Sequence, residues 1–199
     1  MNTPNKLTVG RIIATPFFMA AMLFEFPYHY IVALVLFIGA SLTDMIDGKM
    51  ARKYNLVTDF GKFLDPLADK MLTTAAYLGF ISVYGGTPKF CWQVTAIAFL
   101  ILFREFMVSS IRLVVVSSGG KVIAANMWGK AKTVSQMVGL TLALAAYAAT
   151  DIFDGLASSG VFGIFNIVII VMFWISAVLC TISGIIYLMG SKDYINPSK

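Results

Sequence analysis

Charge is scarce in this chain: only 13% of its 199 residues are Asp, Glu, Lys or Arg, against roughly 25% in an ordinary soluble domain. Cysteine is nearly absent. Cys91 and Cys180 are too few for a disulfide framework and form no CxxC metal pair. His29 is the sole histidine, which excludes a histidine-based metal site and suits a side chain at a membrane interface. The start does not read as a cleavable signal, because residues 1–6 are polar and the apolar run after them reads as part of the protein.

Apolar residues fill the space that charge leaves. They make up 59% of the chain, with a mean hydropathy of +0.84, which is too much for one globular core and excludes disorder. Sixteen Phe and eleven Met read as lipid-facing and packing residues. Six spans of about 20 residues would use roughly 120 residues. Apolar runs of that kind cover residues 7–26, 30–52, 64–84, 91–117, 126–149 and 164–189, a single transmembrane domain over residues 1–199. The breaks fall at residues 25–27, 54–61, 85–88, 119–120 and 151–160, each carrying turn-forming or polar residues. The expected fold class is an all-α integral membrane protein with six transmembrane helices.

With six spans both termini lie on one side. Fourteen of the fifteen Lys and Arg then fall on that side, with Lys89 alone on the other. The positive-inside rule makes the basic side cytoplasmic. The net charge of +5 is thus spread along helix ends, and no nucleic-acid partner is expected.

Four acids stand out. Asp44 and Asp47 are three apart, and Asp65 and Asp69 four apart, so on helices each pair shares a face. The two pairs sit where spans 2 and 3 meet the cytoplasmic side. Asp44 lies about nine residues before the end of span 2, roughly 13 Å at 1.5 Å per residue, and a carboxylate at that depth needs a partner. Asp65-Pro66 reads as a helix start, with Asp at the N-cap and Pro at the first helical position. All-oxygen ligands point to hard divalent ions, Mg²⁺ or Mn²⁺, and two such ions form a clamp for displacement at phosphorus. Gly48 and Gly61 would let a ligand approach the backbone, and Arg52 would reach a pyrophosphate oxygen. A structural salt-bridge network, or a proton or cation pathway, is the competing reading of the acids. A second Asp-x2-Asp-Gly run, Asp151 to Gly155, lacks the residues that follow the first and reads as a solvated turn on the outer face.

From Asp44 to Asp69 the chain resembles the CDP-alcohol phosphatidyltransferases at all eight fixed positions of D-x2-D-G-x2-A-R-x8-G-x3-D-x3-D. The resemblance implies their fold and their reaction, transfer of a phosphatidyl group from a CDP-linked lipid to an alcohol with release of CMP. It implies two metal ions on Asp44, Asp47, Asp65 and Asp69, with Asp69 also the general base. Gly48, Arg52 and Gly61 would hold the CDP moiety. It also implies a homodimer in a bacterial inner membrane. Arg104, Arg112, Lys130 and Lys132 form a second basic set suited to a phosphorylated acceptor. Asn5 to Arg11, Arg104-Glu105-Phe106, and Gly129 to Thr133 with Gln136 resemble the members that use CDP-diacylglycerol and sn-glycerol 3-phosphate. Phosphatidylglycerol, inositol phosphate and serine are the alternative acceptors, and a cation or proton transporter is the alternative from another class.

Overall fold

Each apolar run becomes one long helix. The computed structural model describes residues 2–54, 58–117 and 127–192. Among them lie α1 (Thr3–Leu23), α2 (His29–Lys53), α3 (Asp59–Val83), α4 (Pro88–Ser117), α5 (Met127–Ile152) and α6 (Gly160–Gly190). One turn of 3₁₀ helix, Leu156–Ser158, precedes α6, and there is no strand among the described residues. The expected break at residues 119–120 lies outside them.

Five of these helices are long and apolar enough to cross a membrane, and α3 is not among them. Its first half carries Asp65, Asp69 and Lys70, which dilute the hydropathy of an otherwise apolar helix. α3 is nonetheless packed between α1 and α4. The acids that lower its hydropathy include two of the four signature acids.

Two local expectations are corrected. α3 does not start at Asp65-Pro66. Thr58 is its N-cap and accepts a hydrogen bond from the Gly61 N–H at 3.0 Å, with Pro66 inside the helix. A side-chain cap satisfies the first turn, and Pro66, two turns in, gives up one i→i−4 bond and crowds the i−4 carbonyl without ending the helix. Asp65 is therefore a helical residue whose carboxylate is free for tertiary contact. The second correction concerns Asp151. Asp154 and Gly155 do form an exposed turn, with Gly155 at φ +79°, but Asp151 is not simply solvated. Its Oδ2 accepts from the backbone N–H groups of Tyr30 at 2.8 Å and Ile31 at 3.1 Å. These are orphan donors at the start of α2, whose own N-cap, Tyr28, makes no side-chain cap.

α1 packs on α2 and α3, α5 on α2 and α6, and α4 on α3 and α6. Between helices in lipid the gain comes from close packing rather than from expelling water. The buried interior is accordingly built from large rings and branched chains, Phe18, Phe37, Phe80, Phe173, Leu140 and Leu144 among them. At the end opposite the acids, Tyr84 and Tyr147 are buried. Their hydroxyls both donate to Asn166 Oδ1, at 2.7 and 3.0 Å. Asn166→Leu would leave two buried hydroxyls without an acceptor and should destabilise the protein by about 2–4 kcal/mol, read as a lowered thermal midpoint in detergent.

Candidate active site

The signature acids meet at one end of α1, α2 and α3, and α1 is the element that joins them. Arg11 is 2% exposed. Its Nη1 donates to Asp44 Oδ1 at 2.5 Å and its Nη2 to Asp47 Oδ2 at 2.7 Å. One turn earlier, Thr8 Oγ1 donates to Asp65 Oδ1 at 2.7 Å and stands 3.4 Å from Asp47 Oδ2. Another turn back, Asn5 Nδ2 donates to Thr58 Oγ1 at 2.9 Å. Asn5, Thr8 and Arg11 recur at three-residue spacing, so they form one polar stripe on α1. That stripe touches three signature acids or their supports from two other helices.

The spacing arithmetic within α2 and α3 gave each pair of acids but not the stripe between them. Asn5, Thr8 and Arg11 lay in a string that carried the family resemblance, yet no chemistry was assigned to them. The available signal was a polar i, i+3, i+6 pattern entering an apolar span. An intramembrane Arg calls for an acidic partner, and the acids that Arg11 finds lie 33 and 36 residues away in sequence.

The remaining predicted residues divide. Asp69 is half-buried, and its charge couples to Asp44 and Arg11 on one side and to Lys132 and Glu105 on the other. It lines a small polar pocket with Lys70, Thr73, Glu105, Lys132 and Gln136. Glu105 accepts from Lys132 and, at 3.1 Å, from Arg104 Nη1. Arg104 Nη2 donates to Ser183 Oγ at 2.8 Å, while its buried Nε–H has no acceptor among the described residues. Gly184 makes room for this side chain, since a Cβ there would stand 2.8 Å from Arg104 Cγ. Arg112 and Lys130, by contrast, are exposed. Arg104 and Lys132 are thus brought together through Glu105, and the other two bases of the set are not drawn into that contact.

The two glycines also separate. A Cβ on Gly48 would meet nothing within 4 Å, so its backbone is open to a ligand. A Cβ on Gly61 would stand 2.9 Å from Asn5 Oδ1 and 3.3 Å from Thr58 Oγ1. Glycine at position 61 is thus required by the close approach of Asn5 on α1 to the start of α3. The side chain of Arg52 lies outside the described residues.

As they stand, no three acidic, histidine or cysteine side chains among the described residues converge on a single point. In ligand type and in charge the set still fits divalent cations. All donors are carboxylate oxygens, and Arg11 supplies one positive charge to Asp44 and Asp47 with Asp65 held alongside by an uncharged hydroxyl. Carboxylates gathered this closely in a poorly solvated place need further cations to remain ionised together.

The ion pair also carries stability. Arg11→Met would leave Asp47, 3% exposed, without its cation, and breaking a buried pair costs about 3–5 kcal/mol. The expected result is a loss of that size in detergent unfolding, much larger than the loss for Lys130→Met, whose side chain is exposed.

Comparison with known proteins shows the family. The sequence profile of the CDP-alcohol phosphatidyltransferases matches residues 1–182. A Bacillus subtilis protein named CDP-diacylglycerol–glycerol-3-phosphate 3-phosphatidyltransferase is 43% identical over 155 residues, covering 72% of this chain and 76% of the relative. A Rickettsia bellii protein of the same name is 35% identical over 198 residues, covering 97% of both chains. A rice protein named cardiolipin synthase (CMP-forming) is 33% identical over 198 residues, covering 94% of this chain and 56% of that protein. The family is generally dependent on divalent metal ions. With the signature intact on α2 and α3, its acids gathered by α1, and a profile match over nearly the whole length, the chain belongs to the CDP-alcohol phosphatidyltransferase family.

Proposed function

We propose that this protein transfers the phosphatidyl group of CDP-diacylglycerol to sn-glycerol 3-phosphate, giving phosphatidylglycerol phosphate and CMP. The observation that carries the reading is the polar pocket in which Asp69, the last signature acid, shares a wall with Lys132 and Glu105. A carboxylate that can take a proton thus stands beside a cation that can hold an acceptor's phosphate. Relatives at 35–43% identity bear the name of this activity.

Asp69 takes the proton of the acceptor hydroxyl as its oxygen attacks the phosphorus that bears diacylglycerol. The bond from that phosphorus to the CMP oxygen breaks, and CMP leaves with the electron pair. A hydroxyl is a poor nucleophile while protonated, so a base within hydrogen-bonding reach is needed at that moment. Two divalent ions, Mg²⁺ or Mn²⁺, held by Asp44, Asp47, Asp65 and Asp69, would neutralise the pyrophosphate and stabilise charge on departing CMP. Arg11 and Thr8 hold three of those carboxylates in place, as partners of metal-binding groups do elsewhere. Gly48, Arg52 and Gly61 receive the CDP moiety, and Gly61 also permits the close α1–α3 approach. Lys132 and Arg104 bind the acceptor phosphate, and the exposed Arg112 and Lys130 draw the dianion toward them.

The positive-inside rule supports both termini and the site lying on the cytoplasmic side, and the membrane proposed is a bacterial inner membrane with a homodimer as the working unit. The lipid donor stays in the bilayer throughout, and the acceptor enters from water.

Purified protein in mixed micelles should release CMP from CDP-diacylglycerol with glycerol 3-phosphate, stop on chelation and recover with Mg²⁺ or Mn²⁺. Release with phosphatidylglycerol, inositol phosphate or serine but not with glycerol 3-phosphate would overturn the acceptor. Asp69→Asn should lower kcat by about 10²–10⁴-fold, the usual worth of a general base, with much of the donor affinity kept. Lys132→Met should raise KM for glycerol 3-phosphate by about 10–100-fold, corresponding to one charge-assisted bond.

A further inference from the structure

Lys132 and Gln136 stand one turn apart on α5, so they share a face. Both are buried, at 8% and 4% exposed. On α3, Asp69 and Thr73 repeat the same spacing. These four side chains lie together in the wall of the polar pocket. Lys132 and Asp69 already have work in the proposed reaction, and Gln136 has none.

Glycerol 3-phosphate brings three polar groups to this wall. Its phosphate goes to Lys132 and Arg104, and its attacking terminal hydroxyl to Asp69. The hydroxyl on the middle carbon takes no part in bond making, yet it enters a poorly solvated place and needs a partner there. The neutral polar side chains of the wall are Thr73, Thr133 and Gln136. Thr73 donates its hydroxyl proton to the Asp69 carbonyl at 3.0 Å. Thr133 is exposed and donates to the Gly129 carbonyl at 3.2 Å. Gln136 is different. Its amide stands beside the Tyr77 hydroxyl, but that hydroxyl, on a side chain 2% exposed, closes no hydrogen bond among the described residues. The amide can both donate and accept. A buried amide with no firm partner inside the protein is accounted for by one that arrives from outside.

We propose that the Gln136 amide binds the middle hydroxyl of the acceptor and so selects glycerol 3-phosphate over acceptor phosphates that lack that group. The proposal rests on the acceptor named under the proposed function and adds a residue that recognises it. A cation alone attracts any small phosphate and leaves it free to turn. A second contact on the carbon chain fixes the rotation and keeps the terminal hydroxyl at Asp69, and orientation of that kind acts on the rate. A site built to hydrogen-bond a substrate hydroxyl also rejects the analogue without it, because the buried group of the site is then left unpaired.

The test compares two acceptors on the full chain in mixed micelles, with CDP-diacylglycerol as donor. One is sn-glycerol 3-phosphate. The other is 3-hydroxypropyl phosphate, which keeps the phosphate and the terminal hydroxyl and lacks the middle one. In the unaltered protein, kcat/KM for the first should exceed that for the second by more than about tenfold. Gln136→Leu should remove that preference, by lowering kcat/KM for glycerol 3-phosphate and leaving the value for 3-hydroxypropyl phosphate unchanged. Leucine is close to glutamine in volume and breaks no hydrogen bond at Tyr77, so the variant should fold, checked by thermal midpoint in detergent. Gln136→Met, close to glutamine in length, gives the same reading where leucine packs badly. An equal loss with both acceptors marks a merely structural role and overturns the proposal. Equal use of both acceptors by the unaltered protein also overturns it, with no variant needed, and leaves the proposed reaction standing. No CMP with either phosphate overturns the proposed acceptor and the role of Gln136 together.

Discussion

The structure turns on the contact of Arg11 with Asp44 and Asp47. Carboxylates gathered near the membrane are costly to hold as ions, because neither lipid nor packed protein solvates them. A guanidinium answers two at once, with one planar group facing two acids from consecutive turns of α2. The contact also explains why α1 lies against both α2 and α3. Arg11 needs the acids of one, Thr8 needs Asp65 of the other, and Gly61 leaves room for Asn5 of α1 at the start of α3. Stability and site are therefore the same set of interactions at this end of the bundle.

Away from the acids the bundle is held differently. Rings and small residues fill the interior, and the few polar groups there satisfy each other locally, as Asn166 does for two tyrosines and Asp151 for the start of α2. Nothing at that end requires a cation. Polar satisfaction thus holds one end of the molecule, and charge compensation the other. The second basic cluster follows the logic of the first with signs reversed: Glu105 is the lone acid between Arg104 and Lys132, and it positions two cations that would otherwise repel. The two clusters meet at Asp69, the residue whose charge couples to both. Asp69 thus lies within the field of the signature acids and of the Arg104–Glu105–Lys132 cluster at once.

Much of this was legible in the residues. Apart from the start of α3, hydropathy placed the long helices to within a few residues, because a chain in lipid must close its backbone hydrogen bonds within each helix. Spacing placed Asp44 with Asp47 and Asp65 with Asp69, since a helix repeats every 3.6 residues whatever surrounds it. The start of α3 was misplaced because a capping threonine and an internal proline compete locally, and the tertiary contact of Thr58 with Asn5 decides between them. Asp151 was misread because the groups it caps are 120 and 121 residues away.

By itself, then, the sequence determined the class of protein, the number of long helices and the signature acids, all of which depend on local periodicity and composition. Tertiary structure decided which cation those acids find, which two of four distant bases converge on Glu105, and why one glycine is packed while another is open. Those outcomes depend on how helices far apart in the chain are brought side by side, and a pattern of neighbours along one helix contains no term for that.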